Sequence, residues 1–256
     1  MLTCQVDLTE PQAISLLYYS PGKMADQFLT RLLAWVETWG VWLSWLAWAT
    51  VFFGALAMFR ATRNLRGWRI WTAALIVTAL AVVAHLADFI ITLQRSPDLA
   101  LEMNPIWRNV ISHYGLGVAK WYGLTGKLLV SLLAGQMTAF YLGNRQRLYP
   151  RASSQAPTSL AAFLGHMGER SVSWRERAAA LFTIFSFFFA GLTFFYFYIA
   201  YQNSLTDNAE ALERLPSVVV AVSAYVLALC VAFIALTYRS YRRSVVPLAK
   251  KATTEN

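Results

Sequence analysis

The sequence predicts an all-α fold, a polytopic transmembrane helical bundle with five spans, the N-terminus outside and the C-terminus inside. Three observations carry that prediction. The chain has five apolar stretches long enough to cross about 30 Å of hydrocarbon, which takes roughly 20 helical residues. Only 14% of its 256 residues are charged against 57% hydrophobic, well below the quarter or so charged in an ordinary soluble domain. The basic residues gather in alternate connections. Helices are expected throughout, because a helix satisfies its own backbone hydrogen bonds in lipid and the alternation of a membrane barrel is absent.

Residues 1–38 are expected to form outer-side interfacial helices. Thr9-Glu10-Pro11-Gln12 reads as a helix start, with Thr9 as N-cap and Pro11 in the first turn. That helix would carry Ile14, Leu16, Leu17 and Tyr18 and end at Pro21-Gly22. Met24, Phe28, Leu32 and Trp35 then recur at helical spacing. This second stretch either lies along the interface or extends the first span by tilting. With no basic start, short apolar core and small-residue cleavage site, the N-terminus is expected to stay uncleaved.

Residues 39–142 hold spans one to three, at 39–59, 70–93 and 118–142. Residues 143–177 form a cytoplasmic linker, flexible around Arg151 to Ser159. In it, Leu160, Phe163, Leu164 and Met167 predict a short interfacial helix, and Ser173 with Glu176 predicts a capping box. Residues 178–256 contain span four at 178–201, rich in Phe and Tyr, span five at 218–238, and a basic tail. Most of the ten Trp residues fall near span ends, where amphipathic rings form interfacial belts. Gly115, Gly117, Gly123 and Gly126 are expected to let span three pack closely.

Lys and Arg counts orient the bundle, since basic flanks stay in the cytoplasm. The first loop, third loop and tail carry 4 + 6 + 5 = 15 of the 22 basic residues. The opposite side holds Lys23, Arg31, Arg95, Arg108 and Arg214, diluted by seven acidic residues. The net charge of +9 is therefore mainly a topology signal, with contact to anionic lipid as a secondary benefit. Nucleic-acid binding is not expected, because no basic stripe alternates with aromatics on a soluble domain. Cys4 and Cys230 support neither a disulfide framework nor a thiolate metal site.

The polar chemistry concentrates in spans two and three. Thr78, His85, Asp88 and Thr92 follow one another at intervals of seven, three and four residues, one stripe of a helix. Asp88 would lie about 7 Å below the outer surface at 1.5 Å per residue. Span three, running back inward, brings Lys120 and then Lys127 to overlapping depths. The connection between them contains Glu102-Met103-Asn104-Pro105 and His113, and Glu102 and Asn104 are placed to roof the pocket. An ionisable group in the bilayer costs at least about 2.5 kcal/mol by insertion scales, so such groups are paired or functional.

Asp88-x3-Thr92, Glu102-x-Asn104-Pro105 and a following Lys, Lys127 or Lys120, resemble a group of small prokaryotic integral membrane proteins of uncharacterised function. The resemblance covers about sixty residues of spans two and three. It implies a shared polar site and no particular activity.

The polar residues admit three readings. Asp88 with Lys127 or Lys120 forms a structural ion pair fixing helix register. His85, Asp88 and Lys127 handle protons or ions, as desolvated neighbours suit a relay. His85, Asp88, Glu102 and His113 supply ligand types that suit a divalent metal, though without a recognised spacing. Hydrolase and nucleotide-binding motifs are missing, and Ser131 lacks an evident base. The expectation is a bacterial inner (cytoplasmic) membrane protein in contact with lipid and with other membrane subunits, with no required cofactor. It would be a non-catalytic accessory subunit or a component binding a small solute or ion in an outward-facing polar pocket. The alternative is a proton-coupled carrier or metal-dependent membrane enzyme using His85, Asp88, Glu102 and Lys127.

Overall fold

The computed structural model describes residues 23–99, 105–150, 159–167, 173–205 and 209–245, with the backbone alone for 23–30, 32–38, 105, 106 and 209. Among the described residues the regular secondary structure is all helical, with no strand. The helices are α1 Lys23–Thr62, α2 Trp68–Arg95, α3 Pro105–Asn144, α4 Leu160–Gly165, α5 Trp174–Leu192, α6 Tyr196–Ser204, α7 Ala209–Glu213 and α8 Val218–Ser244. Four stretches are long and apolar enough to cross a membrane: Trp39–Thr62, Trp68–Arg95, Trp174–Ser204 and Val218–Ser244. They make the chain a multi-pass membrane protein. The remaining expected span falls within α3, which is helical but diluted by Lys120, Lys127, Ser131 and Gln136. The expected features before residue 23 lie outside the described residues.

The stretch with Met24, Phe28, Leu32 and Trp35 is helical, and α1 runs unbroken for 40 residues through it into the first apolar span. At 1.5 Å per residue that is about 60 Å, twice the hydrocarbon thickness. The long helices alternate in direction. Residues of α1 meet α3 in ascending order: the Tyr122 hydroxyl donates to the Ser44 carbonyl at 2.7 Å, and Met58 packs with Leu133 and Met137. Against α2, α3 descends, from Asp88 beside Lys127 to Leu65 beside Gly143. The α5 helix is antiparallel to α3, with Phe182 on Phe140 and Ala190 among Leu133 and Met137. Thus α3 is the central element, flanked by α1, α2 and α5.

One break shapes the end of the bundle where α2 finishes. At Gly115 the backbone has φ 80° and ψ 168°, a conformation open to glycine and strained for other residues. In a straight helix Trp107 and Ala119 would lie about 18 Å apart. Instead the Trp107 indole donates to the Ala119 carbonyl at 2.7 Å, so limb 105–114 folds back along limb 116–144. Trp107 stacks on Phe89 and joins Leu99, Val110 and Ala119 in a buried cluster. It lies so close to Gly123 that an added Cβ would sit 2.4 Å from the ring. Gly123 therefore packs closely as expected, whereas Gly117 and Gly126 face nothing within 4 Å.

Toward the other end, the Ser173 and Glu176 capping box forms as expected and starts α5. A 3₁₀ turn at Thr193–Phe195 joins α5 to α6, so Trp174–Ser204 runs on as one helical stretch. The short helix expected to lie at an interface is α4, started by Ser159, but its Phe163 is fully buried against Tyr149, Tyr238 and Tyr241. That ring is a core contact between the linker and α8, and Leu148 and Tyr149 at the end of the 3₁₀ turn Arg145–Leu148 are buried as well. Hydroxyls line the α8 seam: Tyr225 donates to the Gly191 carbonyl at 2.8 Å, Tyr141 bonds Thr237 at 2.9 Å, and Tyr149 donates to Ser240 at 2.6 Å.

The Trp107 packing yields a stability test. Gly123→Ala is expected to cost about 1–3 kcal/mol by overpacking, and most of that cost should vanish in a Trp107→Leu background. Thermal unfolding of the four proteins in one detergent measures it.

Candidate functional site

The polar groups converge where α2, α3 and α6 meet. Helical spacing puts His85 and Asp88 on one face of α2, Lys127 and Ser131 one turn apart on α3, and Tyr196 and Asn203 two turns apart on α6. The antiparallel register of α2 and α3 then sets Asp88 opposite Lys127 and His85 opposite Ser131.

Asp88, 6% exposed, receives a donor on each carboxylate oxygen. Lys127 Nζ lies 2.5 Å from Oδ2, and Asn203 Nδ2 donates to Oδ1 at 3.0 Å. The same ammonium stands 4.8 Å from the centroid of the Tyr196 ring, a cation–π contact. Tyr196 in turn meets His85 edge to face at 4.3 Å between centroids. His85 Nδ1 lies 2.8 Å from Ser131 Oγ, and Ser131 Oγ donates to the Lys127 carbonyl at 2.8 Å. A serine hydroxyl has one hydrogen and a carbonyl can only accept. Satisfying both contacts therefore makes Nδ1–H the donor to Ser131.

The sequence left Ser131 without a base, and the fold corrects this by placing His85 against it. The pair is still poorly arranged for nucleophilic attack. Ser131 is fully buried, its proton is committed to a backbone carbonyl, and the imidazole donates where a general base must accept. The geometry suits a fixed polar relay of side chains.

The other sequence candidates separate. Lys120 is half-buried and makes no ion pair among the described residues, so Lys127 is the lysine beside Asp88. Thr92, one turn past Asp88, offers its carbonyl to Ser96 at the end of α2. Thr78 lies toward the opposite end of the stripe, against Gly135. Glu102 and Asn104 lie outside the described residues. His113 is exposed on limb 105–114, with Nδ1 near the Asn109 carbonyl and Ser112 Oγ. Among the described residues no three His, Cys, Asp or Glu side chains gather closely enough to hold a metal ion.

Two participants escaped the sequence reading. Tyr196 was one ring among many in an aromatic span, and Asn203 fell just past that span's expected end at residue 201. Their seven-residue spacing, two helical turns, was the available signal. Against known protein families, curated proteins and solved structures, the chain has no match.

A buried pair that loses one partner strands the other charge. Asp88→Ala and Lys127→Ala should each destabilise the protein by about 1–3 kcal/mol, with the double variant milder than their sum. Lys120→Ala should show no coupling to Asp88. Equilibrium unfolding in detergent measures the cycle, and additive losses for Asp88 and Lys127 would contradict the paired geometry. Asn203→Ala, removing a hydrogen bond to a charged acceptor, is expected to cost about 1.5–3 kcal/mol in the same assay.

Proposed function

We propose that the chain is a five-span protein of the bacterial inner membrane, N-terminus outside and C-terminus inside. It acts as a non-catalytic component that binds a small cation or cationic solute from the outer side at Asp88. The observation carrying this reading is a carboxylate held jointly by Lys127 on α3 and Asn203 on α6. A cation competing with the Lys127 ammonium for that carboxylate changes how α2, α3 and α6 are tied together. Occupancy of the site is thus coupled to helix arrangement, which a binding or accessory component requires.

Five spans are supported by α3 lying antiparallel to the apolar α2 along much of its length. The orientation is supported by charge. Arg60, Arg63, Arg66 and Arg69, then Arg145 and Arg147, Arg175 and Arg177, and Arg239, Arg242 and Arg243 all fall at the end where α1, α3 and α8 finish. Exposed Trp68 and Trp174 open α2 and α5 at that same end, as an interfacial belt would have them. Asp88, seven residues before the end of α2, lies in the opposite, outer half under the Trp107 cluster. The resemblance built on Asp88-x3-Thr92 and a downstream Lys accords with a site whose two charged members are Asp88 and Lys127.

A second reading, a proton-coupled carrier, draws on His85 and Ser131 beside the ion pair, a line of groups able to pass a proton. Proton uptake into liposomes carrying the purified protein, followed with an enclosed pH dye, separates that reading from simple binding.

Full-length protein in detergent should show a rising melting temperature as sodium, potassium or ammonium is added at constant ionic strength. A ligand at 100 times its Kd stabilises by about 2.7 kcal/mol. Asp88→Asn should abolish the shift, and a flat response to all three cations would remove the proposal. For topology, single cysteines in a background lacking Cys4 and Cys230 should label from outside at Leu205→Cys and stay protected in intact cells at Ser154→Cys. The reverse pattern would invert the orientation.

A further inference from the structure

At the other end of the bundle, Tyr238, Arg239, Arg242 and Arg243 line an open, shallow cavity on the surface of α8. Offsets of one, four and five residues put all four on one face of α8. The three guanidinium groups make no hydrogen bond or ion pair among the described residues, and all three are exposed. Like charges three and four residues apart on a helix repel one another, so an anion shared among them relieves a cost that the protein otherwise carries.

The face is also held in place. On the inward side of the same turn, Ser240 accepts from the Tyr149 hydroxyl at 2.6 Å, and fully buried Tyr241 packs against Tyr149 and Phe163. These contacts fix the rotation of α8 and aim the arginines away from the core. The apolar stretch ends just before them, with Phe233, Ile234 and Leu236 still within the span, so Tyr238 and the arginines stand at headgroup depth. Guanidinium forks match phosphate oxygens in pairs.

We propose that this cavity is a binding site for the phosphate of an anionic phospholipid in the cytoplasmic leaflet. The inference rests on the membrane-spanning reading and is independent of what binds at Asp88. Phosphate oxygens take the three guanidinium groups, and the phenol of Tyr238 lies along the headgroup.

The test uses the full-length protein in nanodiscs of phosphatidylcholine containing one-fifth phosphatidylglycerol, followed by native mass spectrometry of retained lipid. Wild type should retain phosphatidylglycerol, and Arg239→Gln/Arg242→Gln/Arg243→Gln should retain it about 100-fold less, at roughly fivefold per basic residue. A control, Arg60→Gln/Arg63→Gln/Arg66→Gln, changes an equal charge on the same side and should keep the lipid. Equal loss in both variants would mean general surface attraction and overturn the site, as would unchanged retention in the first. Release of the lipid by millimolar inorganic phosphate would assign the cavity to free phosphate and overturn the lipid assignment. The exchanged side chains are exposed, and unchanged melting temperatures confirm that both variants are folded.

Discussion

Asp88 carries a charge that the bundle interior accommodates only because two other helices bring donors to it. Lys127 neutralises the carboxylate and Asn203 occupies its second oxygen, so α2, α3 and α6 are joined at one residue. Much of the local architecture serves that meeting. The 3₁₀ turn at Thr193–Phe195 completes a revolution in three residues where an α-helix would turn only about 300°. The resulting advance of about 60° makes the face of α6 differ from a plain continuation of α5. Tyr196 and Asn203 occupy that altered face, one beneath the ammonium and the other on the carboxylate. Glycine at 135 lets α3 approach the Thr78 turn of α2 closely, which holds the two helices at the distance a lysine must bridge.

The charge cluster is covered by apolar packing of a different kind. Where a simple loop would leave the end of α2 open, Gly115 reverses α3 and lays limb 105–114 beside its own continuation. The indole of Trp107 is both wedge and hydrogen-bond donor. It caps the space near Phe89, one residue from Asp88, without leaving a polar atom unsatisfied. The turn itself, residues 112–115, is exposed, while Trp107 and Val110 on the returning limb are buried behind it. Hydrophobic cover and ion pair thus reinforce each other, since excluding water strengthens the attraction between the charges.

The helices were readable because the bilayer imposes a length and the chain's apolar runs meet it. The Asp88 face was readable because a period of 3.6 needs no tertiary knowledge. Lys127 and Lys120 could not be told apart, since both occur on one face and only the helix register decides between them. Asn203 and Tyr196 were hidden for another reason. Their orientation depends on a 3₁₀ turn among residues that carry no Gly or Pro to mark it. The fold-back at Gly115 was masked because glycines in an apolar helix usually signal close packing, and a positive φ leaves no trace in composition. Phe163 looked like an interfacial anchor because an amphipathic turn has the same pattern whether its apolar side meets lipid or Tyr241.

The seam of tyrosine hydroxyls along α8 bears on how the chain is assembled as it is made. Every member of the charge cluster precedes residue 204, and α8 buries little of its own length. By the time that helix leaves the ribosome, the groups that must find one another in the interior have already been synthesised. The α8 helix therefore arrives at a surface whose costly charges can be paired without it. Its rotational setting comes from phenols that meet the Gly191 carbonyl and the hydroxyls of Thr237 and Ser240, groups that gain a hydrogen bond on docking and strand no ion if docking is delayed. A membrane protein built in this order can wait for α8 to dock without exposing a bare charge to lipid.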